Sequence, residues 1–260
     1  MPADQEIKPT RQRIAVVAVG EGFQPAAQSL AAHLGVPLLR EVPDKDAGAP
    51  ELLLLLDDNG LTLTDGTMRL QPDLSSLARR AVPGKVQREL LVRAAKLKAG
   101  PHGLRAIDAT AGFGSDALLL AAAGFEVTLY ERDPVIAALA ADALRRAREL
   151  PQLDSAASRM TLLEGDSIAA LQALSKPVDV VLLDPMFPER RKSASVKKKF
   201  QLLHRLERPC DNEDELLQAA LDAHPRKVVI KRPLKGPYLA GKKPSYSISG
   251  KSVRYDCLVL

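Results

Sequence analysis

Tryptophan is absent from this sequence, and aromatic residues make up only 3 % of its 260 positions. Any core is therefore built from Leu, Val and Ala. The hydrophobic share of 46 % is ample for one and excludes global disorder. Cysteine is nearly absent too. Cys210 and Cys257 show no metal-ligand spacing, which excludes a disulfide scaffold and a zinc cluster. They read as two reduced cytosolic thiols, with a disulfide between them as the alternative. The histidines, at 33, 102, 204 and 224, are scattered, so no metal site is expected. Long apolar runs are missing: Leu52–Leu56 and Ala117–Ala123 fall far short of the ~20 residues a spanning helix needs. The start, Met1 to Glu6, lacks the basic-then-apolar pattern of a signal peptide. A cytoplasmic location away from membranes is expected. The net charge of +5 hints weakly at an acidic partner, and its distribution tells more than its total.

The length suits a large domain with a small appendage. Arg13–Val19 reads as a strand ending at Gly20, and Pro25–Leu34 as a helix stopped by Gly35. Glu51–Asp57 and Leu61–Asp65 flank Asp58-Asn59-Gly60, a strong hairpin signal. Ser75–Ala99 is mixed, partly helical and basic, and Gly100-Pro101-His102-Gly103 breaks the chain. From Leu104 strands and helices alternate, which predicts a mainly parallel sheet covered by helices. The strands are Leu104–Ala109, Glu126–Glu131, Met160–Leu163, Val178–Asp184 and Val228–Lys231. The helices are Asp116–Ala123, a segment from Pro134 capped by Asp133 to about Leu150, and Ile168–Leu174. Ser245–Ser249 and Ser252–Leu260 form a closing antiparallel hairpin. The expected division is a small α/β subdomain over 1–75, a connection over 76–103, and a Rossmann-like α/β domain over 104–260.

Four motifs carry chemistry. Asp108-Ala-Thr-Ala-Gly112-Phe-Gly114-Ser115-Asp116 follows a strand and opens a helix, where glycines let the backbone approach a ligand and free N–H groups face it. The same pattern fits a dinucleotide site. Glu131 ends the second strand, where a carboxylate accepts hydrogen bonds from vicinal ribose hydroxyls, with Arg132 beside it as an adenine-packing or solvent-facing residue. Glu164-Gly165-Asp166-Ser167 offers an acid and a hydroxyl to an adenine amine, or caps the next helix, or both. Asp184-Pro185-Met186-Phe187-Pro188 is the most telling. It combines a carboxylate, backbone carbonyls and an aromatic face outside the end of a central strand, and suits a planar base bearing an amino group. A nicotinamide enzyme has no need of it.

Together the four resemble class I S-adenosylmethionine-dependent methyltransferases, with Met186 and Phe187 standing where that class has Pro and Tyr. The closer resemblance is to the RsmJ family of guanine-N2 methyltransferases of bacterial small-subunit (16S) ribosomal RNA. It rests on Asp108–Gly112, Gly124–Arg132, Asp184-Pro-Met-Phe-Pro188 continuing into Lys192-Ser-Ala-Ser-Val-Lys-Lys-Lys199, and Lys227-Val-Val-Ile-Lys-Arg-Pro233. It implies S-adenosylmethionine as cofactor. Asp108, Gly112, Gly114, Ser115, Asp116, Glu131, Arg132, Asp166, Ser167 and Asp184 would line its site. Asp184, Pro185 and Phe187 would hold the target base.

A basic segment begins two residues beyond that pocket. Arg190, Arg191, Lys192, Lys197, Lys198 and Lys199 are candidates to neutralise phosphates of an RNA partner, against the plain alternative of a solvated face. Lys231, Arg232, Lys235, Lys242 and Lys243 are candidates to extend the same surface. Three other functions remain open on residues alone: methylation of adenine N6 or an amide, a nicotinamide-dependent oxidoreductase, and a non-catalytic RNA-binding module.

Overall fold

A computed structural model describes residues 13–44, 49–98, 103–185, 202, 206 and 212–260. These pack as two compact units, 13–72 with Leu202 and Leu206, and 73–185 with 212–260.

In the first unit, β1 (Ile14–Ala18) leads into α1 (Gln24–Leu34). A proline pre-sets the first turn of α1, and Gly35, at φ 64°, ends it by closing its N–H on the Ala31 and Ala32 carbonyls. β2 (Leu38–Leu39), β3 (Leu52–Asp57), β4 (Gly60–Thr64) and β5 (Arg69–Leu70) complete a five-stranded sheet ordered β2-β1-β3-β4-β5. β1 runs parallel to β2 and β3, and the expected hairpin joins β3 to β4 with Asp57 opposite Gly60.

The second unit starts with α2 (Leu90–Ala95) and β6 (Arg105–Asp108). It continues through α3 (Ser115–Ala123), β7 (Glu126–Glu131), α4 (Pro134–Arg148), α5 (Asp154–Ala157), β8 (Met160–Glu164), α6 (Ser167–Gln172) and β9 (Val180–Leu183). After the gap in the described residues come α7 (Glu213–Asp222), β10 (Lys227–Pro233), β11 (Tyr246–Ser249) and β12 (Val253–Val259). The seven strands order as β11-β12-β10-β9-β6-β7-β8. Five run parallel, and β12 pairs antiparallel with both β10 and β11. The Rossmann-like α/β architecture with a closing antiparallel hairpin is thus present.

Helices cover both faces, so the central strands are apolar on both sides. Val180 and Leu182 of β9 face one buried cluster with Leu118, Leu120 and Phe125. Val181 and Leu183 face the other, with Leu216, Leu217 and Ile230. The chain runs outward through β6, β7 and β8, then returns to β9 on the opposite side of β6. A crevice therefore opens beyond the carboxyl ends of β6 and β9, where open α/β sheets take ligands.

Residues 76–103, expected as a connection, do more than connect. Leu77, Ala81, Val86, Leu91, Val92, Ala94 and Ala95 are buried in the same cluster as Leu118 and Phe125. The paired Arg80 and Glu89 (2.7 and 2.9 Å) tie this segment across its turn, which its basic composition disguises. The sequence reading also has no helix where α7 lies, although Glu213, Asp214 and Glu215 crowd its first turn and Leu216, Leu217 and Ala220 form its buried stripe.

Candidate active site

The loop after β6 is set by three backbone ties. Ala109 donates to the Leu182 carbonyl (3.0 Å), Ala111 to the Tyr130 carbonyl (3.1 Å), and Gly112 to Glu131 Oε2 (3.0 Å). Gly112 and Gly114 adopt φ of 51° and 76°, which side chains rarely tolerate. Their reasons differ. A Cβ at Gly114 would sit 3.1 Å from Leu129 and 3.4 Å from Met160, so that glycine permits close helix–strand packing. A Cβ at Gly112 would meet nothing within 4 Å, so the chain there lies open to a ligand.

Glu131 ends β7 with both oxygens engaged, Oε2 by Gly112 and Oε1 by the Asp133 N–H (2.9 Å). Burial raises its pKa, and these two backbone donors oppose the rise. Each oxygen keeps a lone pair for a further donor. Arg132 is exposed. Gly165 donates to the Glu131 carbonyl (2.9 Å), which sets Asp166 and Ser167 beside the end of β7. Asp166 accepts from the Ile168 N–H (3.0 Å) and caps α6, while Ser167 is buried.

Asp108, the last residue of β6, is 2 % exposed. Its carboxyl is pushed up to about 8 by desolvation and by the neighbouring Asp116, against the Thr110 N–H that it accepts (3.2 Å). Asp184 follows β9, and its backbone N–H donates to Thr110 Oγ1 (2.6 Å). Its carboxylate is also raised by desolvation, with Lys231 opposing. Ser115 and Asp116 open α3 beside these groups, Ser115 exposed and Asp116 half-buried. Pro185 is buried. Phe187, and Arg190, Arg191, Lys192, Lys197, Lys198 and Lys199, lie outside the described residues.

Two residues offered as candidates to extend the basic surface lie elsewhere. Lys231 turns inward from β10. Its Nζ lies 2.7 Å from Asp116 Oδ2 and 2.8 Å from Asp184 Oδ2. Arg232 is not on that surface either, being 1 % exposed with Nε donating to the Pro237 carbonyl (2.9 Å). Burial works against the charge of Lys231, but the two carboxylates outweigh it and hold the ammonium protonated above the ordinary lysine range. The available signal was positional: a lysine at the carboxyl end of a parallel strand, next to the strand that carries Asp184.

The crevice is acidic in a chain of net charge +5. A structure of the same arrangement is the SAM-dependent methyltransferase from Neisseria gonorrhoeae, which matches with a TM-score of 0.73 and 29 % identity over 94 % of this chain and 95 % of that one. The fold is that of an S-adenosylmethionine-dependent methyltransferase, and the family model of that description matches residues 48–260. The relatives narrow the class. Ribosomal RNA small subunit methyltransferase J of Thioalkalivibrio sulfidiphilus is 41 % identical over 95 % of this chain and 98 % of its own. Its namesake from Pseudomonas aeruginosa is 40 % identical over 94 % of each. The chain belongs to the ribosomal RNA small subunit methyltransferase J family. This membership removes the nicotinamide-dependent oxidoreductase that the glycine loop alone had left open.

The residues present fit the cofactor. S-adenosylmethionine offers two ribose hydroxyls as donors and carries a sulfonium and an ammonium. The crevice offers spare acceptors on Glu131, open backbone at Gly112 and the carboxylates of Asp116 and Asp184. Among the described residues no helix is long and apolar enough to cross a membrane.

Proposed function

We propose that this protein transfers a methyl group from S-adenosylmethionine to the exocyclic N2 amine of a guanine in small-subunit ribosomal RNA, as a cytoplasmic enzyme. The observation that carries the reading is Asp184 at the switch point of the sheet, anchored through its N–H on Thr110 and through its carboxylate on Lys231.

Bound in the crevice, the cofactor supplies an electrophilic methyl group. Glu131 accepts its ribose hydroxyls, and Gly112, Gly114, Ser115 and Asp116 shape the turn that receives its amino-acid end. Asp108 supports that turn from beneath. Arg132, Asp166 and Ser167 flank the adenine. The guanine amine is a poor nucleophile because its lone pair is delocalised into the ring. Asp184 and the Pro185 carbonyl would accept its N–H groups and orient the amine. The amine would lose one proton to solvent once the carbon–sulfur bond of the donor has been exchanged for the new carbon–nitrogen bond. Phe187 stacks on a base splayed out of the RNA. Orientation and fixed charge then supply the rate, with no covalent enzyme intermediate. Arg190, Arg191, Lys192, Lys197, Lys198 and Lys199 grip the flanking phosphates.

The test is methylation of unmodified small-subunit RNA and of intact subunits with labelled donor, followed by digestion to nucleosides. N2-methylguanosine is the expected product. N6-methyladenosine, or no transfer, rejects the reading.

A further inference from the structure

Two carboxylates, Asp116 at the start of α3 and Asp184 after β9, lie directly against one ammonium, that of Lys231 on β10, at 2.7 and 2.8 Å. The Asp108 carboxyl at the end of β6 feels all three groups, and burial and the neighbouring Asp116 raise it to about 8. Among the described residues, the other charged or titratable groups facing the cluster are Arg232 on β10 and Tyr255 on β12, with Arg80 facing Asp116 and Tyr255.

The packing of β10 does not call for this lysine. Val228, Val229 and Ile230 already fill both buried faces, and a partly buried ammonium loses hydration that an apolar residue would not. What it does achieve is a link across the crevice. One Nζ joins the start of α3 to the residue after β9, across chain separations of 115 and 47 residues.

We infer that Lys231 is a positioning residue for methyl transfer: it holds the Asp184 carboxylate ionised and fixed by Oδ2, leaving Oδ1 to receive the N–H of the target amine. The inference rests on the proposed role of Asp184. Lys231 touches neither the base nor the methyl group in this scheme, and acts only through the carboxylate it holds. A neutral residue in its place would leave the Asp184 carboxylate beside Asp116 without the opposite charge that now opposes its raised pKa.

The experiment is the pH profile of single-turnover methyl transfer at saturating RNA and donor, with urea melts of each variant. Because Asp184 works as a carboxylate, the rate rises with pH through its titration. Lys231→Gln keeps hydrogen-bonding reach but removes the charge. It is expected to move the acid limb up by about one pH unit or more, since an opposite charge at this range lowers a carboxylate pKa by ~1–3 units. Much of the lost rate should return at higher pH. Lys231→Arg should hold the limb near its original place. A Lys231→Gln profile scaled equally at every pH, with a lowered urea midpoint, overturns the inference in favour of a structural lysine. If Lys231→Gln does not fold, Asp116→Asn gives the same decision. Freed of its second partner, Lys231 should then draw the limb to lower pH, and an unmoved or raised limb overturns the inference. Asp184→Asn separates the two levels. Full rate in that variant rejects the role of Asp184 itself, whereas a crippled Asp184→Asn beside an unmoved limb in Lys231→Gln rejects Lys231 alone.

Discussion

Each unit contains a buried strand that turns through glycine into a helix, β1 into α1 and β6 into α3, yet the two spend their carboxylates differently. In the first unit β1 ends at Ala18, and the acids nearby serve their own turns. Asp57 accepts from the Asn59 N–H, and Asp65 from the N–H groups of Thr67 and Met68. In the second unit β6 ends at Asp108, and the acids at the strand ends reach far along the chain. Glu131 holds Gly112 across 19 residues, and Asp116 and Asp184 meet Lys231 across 115 and 47. A carboxylate satisfied by its neighbours builds a loop. One satisfied by a distant partner brings separate elements together: in the first unit Glu51 does so with the single Arg13 across 38 residues, whereas in the second unit Asp116 and Asp184 converge on one ammonium from two different elements.

If this contrast is functional, substitutions on its two sides should diverge. The largest effect is expected for Asp184→Ala. Losing the group that aims the amine should cost about 100-fold or more in single-turnover rate, because misplacement alone can do so. A rate near that of the original protein would erase the contrast. Next is Glu131→Ala, read by calorimetry with S-adenosylhomocysteine. Loss of a charged acceptor for the ribose hydroxyls should weaken binding by about tenfold or more. Unchanged affinity would return Glu131 to a purely structural part. The basic segment sharpens the comparison from outside the crevice. Replacing Lys197, Lys198 and Lys199 with Glu should weaken RNA binding and flatten its salt dependence by ~0.7 in log–log slope per lost phosphate contact, while leaving S-adenosylhomocysteine affinity unchanged. A Lys→Gln triple variant controls for added repulsion, and unaltered slopes in both would make the segment ordinary surface. The smallest effect belongs to the first unit. Asp65→Ala should cost about 1 kcal/mol of stability in urea melts and leave the methylation rate alone. A lost rate there would break the contrast from the other side.

Much of the fold was legible because it is written in local chemistry. Gly35 and Gly124 end helices, Asp133-Pro134 starts one, and the central strands β9 and β10 of the larger sheet stand out as apolar runs. The two-residue strands β2 and β5 were not legible, since two residues carry no period. The segment after Ser75 is partly helical as expected, but its burial was not legible because its charges are conspicuous and its buried residues, Leu77, Val86 and Leu91, keep no simple spacing. In the crevice, Asp108, Gly112, Glu131 and Asp184 could be found because each sits at a strand end or in a glycine turn. Lys231 could not be placed, because its partners are fixed by sheet order and not by anything adjacent to it.

The position of β12 has a consequence for how the molecule comes to be assembled. It is made after β11 but lies between β11 and β10, pairing with β10 from Val253 opposite Pro233 to Val259 opposite Lys227. Until Val253–Val259 has emerged and inserted, β10 has a bare edge on that side, open to pairing with another chain. Lys231, which reaches into the crevice from β10, has no settled strand to stand on before then. Nascent or truncated chains that stop short of Val253 should therefore be both inactive and prone to aggregate, and the gain of methyl-transfer competence should coincide with the closing of this late, non-local strand pairing.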